Sequence, residues 1–356
     1  MLPVKTPLVP TQKDIAKSLG LSQTAVSLAL RNSPAIPAAT VARVKAEVRR
    51  QGYRPDPMIS ALMAQRHKGA AARFRAKIAF LTASGGPDER RDGNYAVGCF
   101  RGAQRAAEER GYVCEAFWMR DPKVAGERLS QILWTQNVQG LMVAPMPVDS
   151  VPVQLTWAKF AAVSLDFSVA DPELHRVVDD HAFGIERVLE EVEARGYRRP
   201  GLVLRASQDI RTHHSRLGVF LVQRRLHPAW ADVAPLILPA DSWDPVLFAA
   251  WLKREQPDVV LTEEPELPAA VRQLGLRVPR DLGLAFFYKD KPAPEVSGLQ
   301  IDAERVGVIA AGILMRMIET NERGRPAIPT TTLVKSFFWH AGRSLRPLPR
   351  ARGPVP

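Results

Sequence analysis

The hydrophobic period of the chain changes at Lys77, and this change restricts the fold more than any other feature. Beyond it, short apolar runs alternate with amphipathic stretches. KIAFLTA (77–83) reads as a buried strand, 101–110 as a helix ended by Gly111, VCEAFWM (113–119) as a strand and 129–137 as a helix. VQGLMVA (138–144), AAVSL (161–165) and RVV (176–178) continue the series. A second series starts near Gly196: GLVL (201–204), a helix over 214–225, PLIL (235–238), a helix over 245–254, DVVLT (258–262), a helix over 266–274 and LGLAFF (282–287). Strand–helix alternation with right-handed crossovers gives a parallel, doubly wound sheet. Two such units in tandem predict a bilobed α/β body.

Charge separates this body from what precedes it. Residues 1–77 hold 14 Lys and Arg against 3 Asp and Glu, a balance of +11, whereas the remainder of the 356 residues holds 35 against 34, or +1. A basic end on a nearly neutral body points to a polyanion at that end only. Nucleic acid fits better than an anionic membrane surface, because the basic part is not one long amphipathic helix. No run reaches the roughly 18 apolar residues of a membrane span. The start, MLPVKTPLVPTQKD, has no apolar core of a secretory signal. Two cysteines, Cys99 and Cys114, make no disulfide framework, and a reduced, cytoplasmic protein is expected.

Within the basic end, Ile15, Ala16, Leu19 and Leu21 recur at helical spacing until Gly20 breaks it, and Gly20 suits the left-handed C-terminal position of a helix. Ser22 reads as the N-cap of a second helix with Ala25, Val26, Ala29 and Leu30 on one side. A third starts near Pro37, carries Val41, Val44 and Val48, and ends at Gly52. Two short helices joined by a glycine-containing turn form the helix-turn-helix unit. Its second helix enters the major groove by the N-terminal end, which puts Gln23, Thr24 and Leu28 nearest the base edges. Thr11, Ser22, Ser27 and Asn32, with Lys13, Arg31 and Arg54, suit phosphates. The same spacing also fits an ordinary three-helix bundle with a solvated basic face. PDPMISALMAQ (55–65) follows, where Asp56 can cap a helix opening at Pro57. Such a helix is too short to persist alone. Its Met58, Ile59, Leu62 and Met63 either wedge into DNA or pack on the body, and RHKGAAARFRAK (66–77) is a basic linker.

The pattern DIA…G(L)S…AVS…AL…P.I…T…V…GYRPD strongly resembles the lac/gal-repressor (LacI-type) family of bacterial transcription regulators. The resemblance is tight over the head and looser over nearly the whole chain. It implies an all-α helix-turn-helix head, a body like the periplasmic sugar-binding proteins, and a homodimer on double-stranded operator DNA. It also implies a hinge that folds only on DNA, with Leu62 as the leucine that wedges into a minor-groove step. Where the family usually has an Arg after its "VS" pair this chain has Leu28, so a guanine-reading side chain is missing. The expected divisions are a head (1–54), a hinge and linker (55–75), a first lobe (76–196 with 301–323), a second lobe (197–298 with 327–342) and a disordered tail (343–356). Helix 303–320 should return to the first lobe, and TTTLVKSFF (330–338) should add to the second.

Doubly wound sheets bind ligands at the carboxyl ends of their strands, which places a small-molecule effector in the cleft. By resemblance, Asn94 and Tyr95 are cleft residues after the first strand. VVDDHAFG (177–184) sets Asp180 at the family's acidic position, and RLGVF (216–220) makes Arg216 the residue that grips hydroxyls or a carboxylate. Trp243 in SWD would stack on the ligand, and Glu263 or Glu264 in TEE would replace an effector-binding Asp. On local grounds Asp180 equally suits a cap for helix 182–195, Arg216 a helix surface and Trp243 the core. Acids, Arg and aromatics together suit a sugar or sugar derivative. There is no Walker A, GxSxG, HExxH or other metal motif, so neither an enzyme nor a cofactor is expected. The expected function is a transcription regulator, a repressor by default. A soluble ligand-binding protein and a ligand-independent DNA-bending protein are the alternatives.

Overall fold

The computed structural model describes residues 11–30, 33, 35–51, 53, 76–83, 95–119, 126–146, 154–169, 171–239, 242–289 and 295–349. Arg31, Asn32, Arg54, Asn94 and the whole hinge with Leu62 lie outside these residues.

The head is three helices, α1 (Gln12–Leu19), α2 (Gln23–Leu30) and α3 (Ala38–Gln51). A capping box opens α1: Thr11 N–H donates to Asp14 Oδ2 at 2.8 Å, and Asp14 N–H to Thr11 Oγ1 at 3.4 Å. Gly20 closes it at φ +64°, and Leu21 N–H returns to the Ala16 carbonyl at 2.9 Å. Ser22 Oγ accepts from Ala25 N–H at 3.0 Å at the start of α2. The helices meet over buried Ile15, Ala16, Val26, Ala29 and Val44.

The body is built on two six-stranded sheets. The first comprises β1 (Lys77–Thr82), β2 (Val113–Trp118), β3 (Val138–Val143), β4 (Ala161–Leu165), β5 (His175–Asp179) and β11 (Thr331–Val334), in the order β11-β5-β4-β3-β1-β2, all parallel. The second comprises β6 (Pro200–Arg205), β7 (Leu236–Leu238), β8 (Val259–Thr262), β9 (Gly283–Lys289), β10 (Gly298–Ile301) and β12 (Phe337–His340), in the order β12-β10-β9-β8-β6-β7. Among the described strands of this sheet only β12 runs antiparallel, on β10. Strands covered by helices on both faces read as continuous apolar runs, and all of β4 and β5 is buried. Against the first sheet pack α4 (Tyr95–Glu108), α5 (Glu127–Thr135) and α11 (Ala303–Glu319). With the second go α6 (His181–Ala194), α7 (Ala206–Arg211), α8 (Ser215–Leu226), α9 (Pro245–Glu255) and α10 (Leu267–Gln273). Helices α4 and α11 cross at backbone contact. A Cβ on Gly102 would lie 1.9 Å from the Glu304 carbonyl oxygen, and one on Gly307 1.9 Å from that of Cys99.

Three expectations are corrected. Residues 330–338 do not all join the second lobe: β11 extends the first sheet beside β5, and β12 extends the second. The helix after β5 belongs to the second lobe, because Ile185, Val188, Leu189 and Val192 bury against that sheet, so the first crossing lies at Asp180 rather than near 196. The supposed tail is docked at its start: Ser344 Oγ donates to the Leu284 carbonyl at 2.6 Å, Leu345 is buried, and Arg346 N–H donates to the Tyr197 hydroxyl at 2.9 Å.

The chain therefore passes between lobes at Asp180, at Asp302 and at Lys335, and the three passages are tied together. Asp180 N–H donates to the Val334 carbonyl at 2.9 Å, and Asp302 N–H to that of Ser336 at 2.8 Å. Each aspartate side chain then caps the helix it enters, on Phe183 N–H and Arg305 N–H, both at 3.0 Å. Among the described residues no helix is long and apolar enough to cross a membrane.

Candidate ligand cleft and nucleic-acid interface

A cavity of about 380 Å³ lies between the lobes. Its walls come from the carboxyl ends of parallel strands in both sheets, where side chains leave the sheet and the crossovers open a crevice. The first lobe contributes Met146 after β3, Asp166 after β4 and Asp179 at the end of β5, with Tyr95 at the start of α4. The second contributes Arg211 at the end of α7, Arg216 in α8, Glu263 after β8 and Tyr288 in β9.

Two ion pairs organise the polar wall. Arg216, 5% exposed, donates from Nη1 to Glu263 Oε2 at 2.7 Å, and its guanidinium lies 5.0 Å from the centre of the Phe287 ring and 5.8 Å from that of Tyr288. Arg211 Nη2 reaches across the cleft to Asp166 Oδ2 at 3.0 Å. Beside this pair the Phe167 and His213 rings stack across the same gap, centres 4.2 Å apart. Burial alone would raise the Asp166 carboxyl. The His181 ring, the Arg211 charge and the Phe167 N–H outweigh it and hold this group at about 2. Asp179 goes the other way: burial raises it above the usual carboxylate range, against the hydroxyls of Ser336 and Tyr95 that donate to it, the latter at 2.6 Å. Asp179 thus belongs both to the cavity and to the crossing segments, through Ser336.

Of the residues expected at the ligand, Tyr95, Arg216 and Glu263 line this cavity together. Three expected partners lie elsewhere. Asp180 spends its carboxylate on the α6 cap, and its neighbours Asp179 and His181 line the cavity instead. Glu264 is buried and held by Arg205, whose Nη2 donates to Oε2 at 2.6 Å and whose Nε donates to Oε1 at 2.9 Å. Trp243 is half-buried against Phe248, centres 5.2 Å apart, in the core of the second lobe. Sequence reasoning missed Asp166, Asp179, His181, Arg211 and Tyr288. A signal for two of them was present, since Asp166 and Asp179 stand at the carboxyl ends of strands the sequence does show. Arg211 lies in a six-residue helix too short to carry a period.

In the head, Ser22, Gln23 and Thr24 are exposed at the start of α2, while Ser27 and Leu28 are half-buried. Lys13 is exposed on α1. Thr11, expected at a phosphate, has its hydroxyl on Asp14 Oδ2 at 2.7 Å, inside the capping box.

No family model matches the chain. A curated relative, the HTH-type transcriptional regulator PtxS of Pseudomonas plecoglossicida, is 30% identical over 193 residues, which is 53% of this chain and 52% of that protein. The chain thus spans about half the length of the curated relative it matches. Among solved structures, a transcriptional regulator CelR–cellobiose complex superposes with a TM-score of 0.59 at 19% identity, over 94% of this chain and 99% of that one. The lac repressor dimer bound to operator and the anti-inducer ONPF gives 0.53 at 15%, over 95% and 99%. A putative transcription regulation repressor (LacI family) from Corynebacterium glutamicum gives 0.53 at 18%, over 76% and 99%. With both lobes and the head covered, the fold of this chain is that of the LacI-type transcription regulators.

Proposed function

We propose that the chain is a sequence-specific, DNA-binding transcription regulator whose operator affinity is set by a small polyhydroxylated molecule held between the lobes. The observation that carries this reading is the presence in one chain of a basic helix-turn-helix head and a polar inter-lobe cavity of about 380 Å³. A cavity of that size takes a sugar-sized ligand. Arg216, Asp166 and Glu263 offer the planar and charged hydrogen-bond partners that hydroxyls need. It acts in the cytoplasm as a homodimer on double-stranded operator DNA, one head per half-site. The residues assigned to DNA are Thr11, Ser22, Gln23, Thr24, Ser27, Leu28, Asn32, Arg54 and the hinge wedge Leu62. Those assigned to the ligand are Tyr95, Arg216 and Glu263, with Asp166, Asp179 and Arg211 added from the geometry.

The test has two steps. A thermal-shift screen across sugars, sugar acids and nucleosides finds the ligand, since one present at 100 times its dissociation constant stabilises by ~2.7 kcal/mol. Footprinting on the chain's own promoter with and without that ligand then reads regulation. A footprint that responds to ligand is expected. Ligand binding without any footprint would leave a soluble binding protein, and a footprint that no ligand alters would leave an architectural DNA-bending protein.

A further inference from the structure

Helix α2, QTAVSLAL, carries no charged side chain of either sign. Among the described residues the cations of the head stand on the other helices: Lys13 and Lys17 on α1, and Arg43, Lys45, Arg49 and Arg50 on α3. Arg50 is already engaged, donating from Nε to Glu47 Oε2 at 2.8 Å. Arg31, the next residue in sequence after α2, lies outside the described residues. What α2 presents outward is the amide of Gln23 and the hydroxyl and methyl of Thr24, both exposed, with half-buried Ser27 and Leu28 behind them. No hydrogen bond among the described residues occupies the Gln23 or Thr24 side chain, whereas those of Thr11 and Ser22 serve as helix caps.

Each base asks for a different partner in the major groove. Guanine shows two acceptors, best met by a bidentate Arg or Lys; cytosine shows a donor, best met by Asp or Glu. α2 has neither. Adenine shows one acceptor beside one donor, the pattern of a primary amide, and thymine shows a methyl group that apolar side chains cover. From this we infer that the base pairs read by α2 are A·T pairs: Gln23 takes an adenine, and Thr24 with Leu28 covers a thymine methyl. The neighbouring helices hold the phosphates and supply affinity without reading sequence. The inference rests on the DNA-binding reading above and adds to it the identity of the bases.

Selection of duplexes from a randomised pool by the full-length chain, at one fixed salt concentration, tests this. The wild type is compared with Gln23→Ala and Leu28→Arg, after circular dichroism shows that both keep the wild-type helix content. Gln23 is exposed, so its loss leaves the head core intact. In Gln23→Ala one position of the selected half-site should lose its preference for adenine by about tenfold. In Leu28→Arg a neighbouring A·T position should change to G·C, because the new side chain supplies the missing bidentate donor. A wild-type consensus with G·C at the position that Gln23→Ala relaxes would overturn the inference, as would a consensus that neither variant alters. Failure of the wild type to enrich any sequence would instead reject the DNA-binding reading itself.

Discussion

Arg216 and Glu263 face each other across 2.7 Å with side chains 6% and 10% exposed. Removing one partner leaves the other as an uncompensated buried charge, which costs about 3–5 kcal/mol, whereas removing both relieves much of that penalty. In urea unfolding, Arg216→Ala is expected to be less stable than the Arg216→Ala, Glu263→Ala double variant. Equal losses would mean that water reaches the pair. Asp166 gives a pH signature of definite sign. Its carboxyl lies at about 2 when folded against an ordinary 3.8, so it contributes stability above pH about 4 that is lost as pH falls toward 2. Asp166→Asn should flatten that part of the curve of urea midpoint against pH; an unchanged acid limb would contradict the cross-cleft pairing with Arg211. The sequence motif around Arg216 was enough to anticipate a residue that lines the cavity, whereas other positions were off by one. Successive strand residues face opposite ways. Beyond a strand's last residue no period fixes which side chain turns inward: Asp179 ends β5 and lines the cavity while Asp180 caps the next helix, and of Glu263 and Glu264, just after β8, Glu263 lines the cavity.

Among elements, the crossing of α4 and α11 is the tightest. Gly102→Ala should cost about 1–3 kcal/mol or more through overpacking against the Glu304 carbonyl, which cannot move without displacing α11. Gly312→Ala is the internal comparison: the same helix there leaves open space for a Cβ, so this change should be neutral or slightly stabilising through helix propensity. Denaturant midpoints of the two variants that coincide would deny the crossing its special status. Elements with a continuous apolar run or a long apolar period were legible: β4 is read from AAVSL and α11 from its seventeen residues. What escaped was short or tertiary in origin. β10 and α7 span four and six residues. The division of TTTLVKSFF between two sheets is decided by the partners β5 and β10, not by any property of the segment itself.

For the whole molecule, charge segregation sets the salt response. With an excess of eleven positive charges in residues 1–77, operator affinity should fall steeply as salt rises, in proportion to the phosphates neutralised; a flat profile in fluorescence anisotropy would exclude phosphate-dominated binding. The proposed coupling between ligand and operator must be reciprocal: a ligand that weakens operator binding tenfold is itself bound tenfold less well by the operator complex, about 1.4 kcal/mol either way. Calorimetry with and without operator measures it. Leu62→Ala should reduce operator bending while the body keeps its melting temperature, and unchanged bending would remove the wedge role. Tied through Val334 and Ser336, the passages at Asp180, Asp302 and Lys335 are hydrogen-bonded to one another, and Asp179 joins them through Ser336 with its carboxyl in the cavity. The chain enters the first lobe at Lys77, the amino end of β1, whereas the cavity gathers at the carboxyl ends of the strands. The point where the chain enters the first lobe and the cavity therefore lie at opposite ends of the same parallel sheet, so any signal from one to the other has the full length of its strands to cross.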